Sequence, residues 1–443
     1  MKKLLILFFI LMLCLNVDAK SLNKQIKNII KDSNISEDSI SISVKNAANG
    51  KIIYEQNERI LMHPASVQKI LTLVPIYDVL GENYCFKTEL FAKGNNEYII
   101  KLGADPYLTS EDLSTVIKKI KPEKVKKIYI DDSIIEKKAW GEGWQWDDDL
   151  NSLMPKFNSY NLDRNLTKIT VMPTEQQKLS FIINPQKSPM IFYNNVKTGD
   201  INNIHLTRDN IISANTLKLE GIVNTPQIYF IPNNNLRLYF EKKLTDELEN
   251  KKIYLKAAYG YSKLSTTDIY IDKVSHPISQ AIEDVLLNSN NMVIETLAKL
   301  AGGKYFNKQG TDIDGIKLFE NYCDKIGIDH SRVRLVDASG VSKNNLVDAD
   351  FITEFMIKNQ NNKALSSMAA PGQGTMSTRL MPLKENLKAK TGTLSDISSI
   401  AGFLTAKSGQ KYVFCIMINN PSSSDSTKKS LENYLIRELY IKL

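Results

Sequence analysis

The two ends of the chain share a pattern of apolar positions. Ile40, Ile42 and Val44 alternate with polar residues, which predicts a half-buried strand, and Asn49-Gly50 predicts the turn of a hairpin. Similar patterns predict, in chain order, a helix over residues 21–31, a strand over 51–55, a helix from 66 to 80, strands over 388–393, 398–406 and 411–419, and a helix over 428–440. Because strands come from both ends, we expect one antiparallel sheet, flanked by helices, that an insertion interrupts.

The middle of the chain, from about Tyr84 to Lys273, has a different pattern. Short apolar runs between Asn-rich turns predict strands over 98–102, 126–131, 168–172, 179–184, 227–231 and 237–241, and a helix over 110–120. Helical spacing resumes over 278–300, with a polar break at 288–291. We therefore expect residues 84–273 to form an inserted region.

The first residues have the form of a secretory signal peptide. A basic start precedes twelve apolar residues, Leu4 to Leu15, and then the small-x-small triplet 17–19. Twelve residues are too few to cross a bilayer core of about 30 Å. We interpret residues 1–19 as a cleaved signal and expect a periplasmic or exported protein. An uncleaved membrane anchor is the alternative.

Composition excludes several classes of protein. The formal net charge is +8, but only 8 of the 57 basic residues are Arg, which argues against a nucleic-acid binder. The charge falls to +7 without residues 1–19, and the sequence leaves open whether this surface contacts the membrane. Cys85, Cys323 and Cys415 indicate no disulfide framework, and the four His lack metal-ligand spacing. We expect no metal and no cofactor.

Ser66-Val67-Gln68-Lys69 is the first candidate for chemistry. Ser and Lys three residues apart share one face of a helix. Lys69 could take the proton of Ser66 only if neutral, and moving its pKa from about 10.4 to about 7 costs about 4.6 kcal/mol. Burial can lower the pKa of a Lys by roughly 3–5 units, so a neutral Lys69 is attainable. Taken alone, the motif is weak evidence, and a capped helix with a surface Lys explains it better.

Lys390-Thr391-Gly392-Thr393 is the second candidate and lies on a predicted strand. A Lys beside two hydroxyl residues makes a compact carboxylate site, and Gly392 leaves room for a substrate backbone at the strand edge. The backbone N–H groups of Ser66 and Thr393 could then form an oxyanion hole.

Ser289-Asn290-Asn291 is the third candidate and lies in the break between two helices. In isolation, ordinary turn and capping chemistry explains it better. The functional alternative is a second Ser that relays a proton, with Asn291 binding a substrate amide.

Together, in the chain order S-x-x-K, S-x-N and K-T-G, the three motifs resemble those of penicillin-binding proteins and active-site-serine β-lactamases. Further segments are similar to the D-alanyl-D-alanine carboxypeptidase/endopeptidase family, the class C low-molecular-mass penicillin-binding proteins. These segments are Pro64-Ala65-Ser66, Leu80-Gly81, residues 86–89, Gly103-Ala104-Asp105-Pro106, residues 131–133, Gly143–Asp148 and Asp337–Ser342.

The resemblance implies an α+β fold of the transpeptidase-like, serine β-lactamase-like kind, with an antiparallel sheet, flanking helices and a large α/β and β-rich insertion. The implied domains are a split catalytic domain (20–83 and 274–443), an inserted domain II (84–164 and 236–273) and a β-rich domain III (165–235).

The resemblance also implies roles for the motif residues. Ser66 would be the acylated nucleophile and Lys69 its general base, while Ser289 relays protons and Asn291 orients the peptide. Position 290 is Asn, where Asp is common in the family. Because Ser289 and Asn291 are both present, this change bears on the fine positioning of the motif more than on activity.

Substrate binding is implied for two further regions. Lys390 and Thr391, with Thr393, would bind the terminal carboxylate. Asp148, with Asp147 beside it, best matches an acidic residue that contacts the free amine of the peptide's diamino acid; a purely structural acidic loop is the alternative.

The predicted function is a serine-type D-alanyl-D-alanine carboxypeptidase or DD-endopeptidase that acts on peptidoglycan stem peptides and is inhibited by β-lactams. The alternatives are a β-lactamase-like hydrolase and a non-hydrolytic peptidoglycan- or penicillin-binding module.

Overall fold

A computed structural model describes residues 22–121, 125–208, 215–255 and 257–443. The predicted signal peptide lies outside these residues. The helices are α1 (22–32), α2 (Lys69–Leu80), α3 (Ser110–Ile117), α4 (Leu236–Asn250), α5 (Ile278–Leu287), α6 (Asn291–Phe306), α7 (Asp312–Ile326), α8 (Ala349–Lys358) and α9 (Asp425–Lys442). The strands are β1 (Ile40–Asn46), β2 (Ile52–Gln56), β3 (Cys85–Gly94), β4 (Glu97–Lys101), β5 (Lys127–Asp131), β6 (Leu166–Met172), β7 (Phe181–Ile183), β8 (Ile191–Thr198), β9 (Asn203–Arg208), β10 (Thr216–Val223), β11 (Gln227–Pro232), β12 (Gly260–Tyr261), β13 (Ile269–Pro277), β14 (Leu387–Leu394), β15 (Ile397–Thr405) and β16 (Lys411–Asn419).

The chain divides into two compact units. The first comprises residues up to Val79, Ala281–Asn290 and Gly315–Leu443, and the second Leu80–Gln280 and Asn291–Asp314. Residues 291–314, predicted as part of the catalytic domain, group with the inserted region. The finer division into three domains stays a prediction.

The first unit contains the predicted antiparallel sheet, in the order β14-β15-β16-β1-β2. Strands β15 and β16 are buried along almost their whole length, and in β16 the buried stretch is an apolar run. On one face, α1 and α9 contribute to the main hydrophobic core, which includes Leu431, Leu435 and Leu439 of α9. The sheet ends at β14, which makes this strand an edge.

The second unit contains a five-stranded mixed sheet, in the order β12-β5-β4-β3-β13, and two three-stranded sheets. Helices α3 and α4 share one core with the five-stranded sheet. Strands β6 to β11 enclose a smaller core of their own. No helix among the described residues is both long and apolar enough to cross a membrane.

One predicted strand, residues 237–241, is wrong because these residues begin helix α4. Asn235 caps the helix, and its side chain accepts a hydrogen bond from the Leu238 N–H at 3.0 Å. The buried positions follow helical spacing (Leu236, Tyr239, Phe240, Leu244 and Leu248). The short alternation over 237–241 is a fragment of this longer period.

Candidate active site

Ser66 lies in a tight segment that precedes helix α2. Ala65 has a φ of 48° and is fully buried, and residues Ala65–Gln68 form a 3₁₀ turn before the α-helix starts at Lys69. The predicted helix is therefore confirmed, with one tighter turn at its start. Ser66 itself is half-buried.

Two distant segments hold this turn in place. The Ser399 hydroxyl on β15 donates to the Pro64 carbonyl at 2.6 Å. On the other side, a Cβ added at Gly340 would lie only 2.0 Å from the Ala65 carbonyl oxygen. Gly340 also has a φ of 79°, so a glycine is required there for both close approach and conformation.

Lys69 is fully buried and contacts the hydroxyl of Ser66. Its Nζ donates to Ser66 Oγ at 2.8 Å and to the Ser339 carbonyl oxygen at 2.7 Å. The Ser339 loop is itself organised by the buried Asp337 carboxylate, which accepts hydrogen bonds from the N–H groups of Gly340, Val341 and Ser342. The general base predicted for Ser66 is therefore within hydrogen-bond distance of it.

Lys390 is a second fully buried lysine, on strand β14. Its Nζ donates to Ser289 Oγ at 2.8 Å and to the Thr391 carbonyl at 2.7 Å. Burial holds the pKa of Lys390 well below its usual range, and the positive charge that Lys69 carries when protonated lowers it further. The motif of Ser66 and Lys69 and the motif of Lys390 are thus electrostatically coupled through their lysines.

Ser289 is presented by the sharp bend between α5 and α6. Its φ is 61°, a left-handed conformation that is uncommon for Ser. Asn290 anchors the bend, because its Nδ2 donates to Asp284 Oδ2 at 3.0 Å; Asn288 Nδ2 donates to the other carboxylate oxygen, also at 3.0 Å. An Asp at 290 would place a carboxylate against Asp284, which gives a physical reason for the Asn found here.

The edge strand β14 passes beside the nucleophile. A Cβ added at Gly392 would lie 2.8 Å from the Ser66 backbone nitrogen, so a glycine permits this approach. Thr391 is buried and donates to Thr375 Oγ1 at 2.7 Å, whereas Thr393 is exposed. The first unit thus brings together Ser66, Lys69, Ser289 and residues 390–393.

Asn291 and Asp148 belong to the second unit. Asn291 is the first residue of α6, two positions after Ser289, and its Nδ2 donates to the Leu153 carbonyl at 3.0 Å. Asp148 is half-buried in the 3₁₀ helix Trp146–Leu150. Its role in binding an amine stays a prediction.

Two residues at the site escaped the sequence-based prediction. Ser339 contributes a carbonyl oxygen to Lys69, and Thr375 a hydroxyl to Thr391. The only usable signal for Ser339 was its place within the Asp337–Ser342 segment. Thr375 follows a glycine, Gly374, where an added Cβ would lie 2.1 Å from the Leu287 carbonyl oxygen. Within the described ranges, no three His, Cys, Asp or Glu side chains are grouped so that they could hold a metal ion.

The sequence matches the model of the D-Ala-D-Ala carboxypeptidase 3 (S13) family over residues 22–437. The chain belongs to this family. It is 25% identical to the D-alanyl-D-alanine carboxypeptidase DacB of Haemophilus influenzae, with 90% of this chain and 91% of the relative covered. It is 23% identical to a D-alanyl-D-alanine carboxypeptidase of Actinomadura sp. strain R39, with 90% and 81% covered.

The fold is that of penicillin-binding protein 4. The crystal structure of this protein from Haemophilus influenzae (DacB) aligns with a TM-score of 0.84 at 22% identity and covers 94% of this chain and 99% of that one. The same protein complexed with a β-lactam aligns with a TM-score of 0.78, with the same identity and coverage. The predicted fold class and the serine-type D-Ala-D-Ala peptidase activity are thereby confirmed.

Proposed function

We propose that this family member cleaves D-Ala-D-Ala peptide bonds of peptidoglycan stem peptides through an acyl-enzyme on Ser66. The observation that carries the proposal is the 2.8 Å contact between the buried Lys69 Nζ and Ser66 Oγ. In the first step, neutral Lys69 takes the hydroxyl proton while Ser66 Oγ attacks the carbonyl carbon of the penultimate D-Ala.

The tetrahedral intermediate needs donors for its oxyanion and a proton for its leaving group. We assign the donors to the backbone N–H groups of Ser66 and Thr393, which the close approach at Gly392 supports. The proton reaches the leaving amine through Ser289, which Lys390 contacts. The C–N bond then breaks, and water hydrolyses the ester and regenerates Ser66.

Lys390, Thr391 and Thr393 bind the terminal carboxylate of the substrate. Burial without a bound anion disfavours the charged form of Lys390, and an arriving carboxylate favours it again. Asn291 orients the peptide, and Asp148 contacts the amine of the diamino acid. β-Lactams acylate the same Ser66, which the β-lactam complex of the Haemophilus influenzae relative supports.

The test follows the products released from two substrates. Wild-type protein should release D-Ala from a stem pentapeptide and should also cleave a crosslinked muropeptide dimer, and the ratio of the two rates gives the carboxypeptidase or endopeptidase preference. Ser66→Ala should lower both rates by about 10³-fold or more. Exposed Ser408 provides the control, and Ser408→Ala should match wild type. Undiminished cleavage by Ser66→Ala would disprove the proposal.

We also propose that residues 1–19 direct export and are removed. The N-terminal sequence of the exported protein should then begin at Lys20. Mature protein that retains Met1 and the apolar run would contradict cleavage.

A further inference from the structure

A cleft of about 640 Å³ opens wholly within the second unit. Its walls combine two tryptophans and a tyrosine with three asparagines, three cationic side chains and two carboxylates. None of the residues assigned above to catalysis lines this cleft. A concave surface with aromatic walls and convergent polar groups is the usual form of a small-molecule site.

The two tryptophans form flat walls of different character. Trp146, the first residue of the short helix Trp146–Leu150, is 82% exposed and presents its indole to solvent. Trp140 is held in place: its ring packs edge-on against Trp144 at 5.0 Å, and Trp144 packs in turn on the buried Phe157 at 5.7 Å. The Trp140 wall is therefore ordered before any ligand arrives.

The polar groups of the cleft are also ordered by their neighbours. The buried Tyr160 hydroxyl donates to Asp132 Oδ2 at 2.9 Å, and the Tyr160 N–H donates to Asn158 Oδ1 at 2.8 Å. Lys156 Nζ donates to the side-chain carbonyl of Asn234. Planar carboxylate and amide groups are thus held in fixed orientations at the wall.

These groups favour a neutral, polar ring as the ligand. A pyranose has an apolar C–H face, which an indole can cover, and a rim of hydroxyl and acetamido groups, which Asn, Asp and Lys side chains can hydrogen-bond. The lining contains three cations and two carboxylates, so it carries little net charge and does not favour a polyanion.

We propose that this cleft binds the N-acetylated amino sugars of a peptidoglycan glycan strand. The choice of polymer rests on the proposed function, because stem peptides are attached to such a strand. Trp146 and Asp149, which line the cleft, lie on the same short helix as Asp148. Sugar binding would therefore contact the helix that carries the predicted amine-binding residue.

The test uses chitotetraose, a peptide-free tetramer of β-1,4-linked N-acetylglucosamine, and isothermal calorimetry with the full mature chain. Wild type should bind the sugar saturably. Trp146→Ala should lower the affinity at least tenfold, and Trp146→Phe should restore most of it. The matched control is Tyr434→Ala, which removes another exposed ring from α9 and should bind as wild type does. Thermal melts confirm that each variant is folded.

Fluorescence supplies a second readout, because the three tryptophans of the chain are residues 140, 144 and 146. Sugar binding in the cleft should therefore change the intrinsic emission of wild type. The proposal would be overturned if wild type does not bind chitotetraose saturably, or if folded Trp146→Ala binds it with wild-type affinity. If the cleft instead binds a sugar-free stem peptide, and this binding depends on Trp146, the assignment of an amino sugar as the ligand would be wrong.

The Ser66→Ala protein separates this inference from the peptidase proposal. It should bind chitotetraose like wild type while it loses covalent penicillin labelling. A failed peptidase assignment would appear only in the labelling, and a failed glycan site only in the sugar titration.

Discussion

At the scale of single residues, the two buried lysines at the site have different partners and different tasks. Lys69 contacts the hydroxyl of Ser66, which the motif spacing predicts, since residues three apart share a helix face. Lys390 contacts Ser289, which is 101 residues away in the chain. A buried ammonium is unfavourable without an anion, so Lys390 is suited to receive one.

Replacing Lys390 should therefore damage carboxylate binding first. For a D-Ala-D-Ala peptide, Lys390→Gln should lower kcat/KM by about 100-fold, which corresponds to about 2.8 kcal/mol at about 1.4 kcal/mol per tenfold change. The loss should be much smaller for the same peptide with a C-terminal amide. Lys388→Gln, two positions earlier on β14 and exposed, should keep wild-type kinetics for both peptides. Equal losses for acid and amide would contradict the role of Lys390.

Residue-level prediction from the sequence succeeded where the motif itself carries the contact. Ser66, Lys69, Ser289 and residues 390–393 do come together in the first unit. Ser339 and Thr375 could not be found in this way, because one acts through a backbone carbonyl and the other through a lone hydroxyl from a separate segment. Such contacts depend on tertiary packing and leave no local pattern.

At the scale of elements, the bend between α5 and α6 is built from complementary polar pairs. Asp284 accepts hydrogen bonds from the side chains of both Asn288 and Asn290. The sequence predicts the two helices and the break between them, but not the left-handed Ser289, because Gly is the residue that normally signals such a backbone. The wrong strand prediction over 237–241 has a different cause. Five residues are too few to distinguish the spacing of a helix from the alternation of a strand.

Asn290→Asp should destabilise this bend. It removes a donor to Asp284 and places a second carboxylate beside it, so we expect a loss of about 1–3 kcal/mol in the free energy of unfolding at pH 7. The double variant Asp284→Asn with Asn290→Asp exchanges donor and acceptor and should recover most of the loss. Urea unfolding measures all three free energies; a double variant no more stable than Asn290→Asp would contradict the pairing.

Gly340→Ala should affect the fold and the nucleophile together. The new Cβ would meet the Ala65 carbonyl oxygen in addition to the strain of a positive φ, so the acylation rate should fall at least tenfold. Gly409→Ala isolates the conformational part: its φ is 85° and no atom lies within 4 Å of the added Cβ. This control should lose only about 1–2 kcal/mol of stability and keep wild-type acylation by a β-lactam. Equal acylation rates for the two variants would show that the contact with Ala65 is unimportant.

At the scale of the whole molecule, the segment from β6 to β11 begins and ends at one point within the second unit. The Asn233 N–H donates to the Asn165 carbonyl at 2.8 Å, and Thr167 Oγ1 donates to Asn233 Oδ1 at 2.6 Å. Strands β6 and β11 pair from Leu166 with Pro232 onward, over a core separate from that of α3 and α4. This geometry is what an independently inserted domain requires.

Removing this segment should leave the rest of the protein folded. We expect a variant in which a two-residue Asn-Gly turn replaces residues 166–232 to be soluble and to react with a β-lactam at a rate within a few-fold of wild type. Size-exclusion chromatography and the acylation rate measure both properties. An insoluble or unreactive product would contradict the predicted separate domain over 165–235.

Acylation of Ser66 is the step on which the proposed peptidase activity depends. The direct measurement is mass spectrometry of the protein after reaction with benzylpenicillin, with peptide mapping of the adduct. We predict one equivalent of penicilloyl ester on Ser66, loss of D-Ala release in proportion to labelling, and no adduct on Ser66→Ala. An adduct on another residue such as Ser289, or an unlabelled protein that still releases D-Ala, would contradict the account.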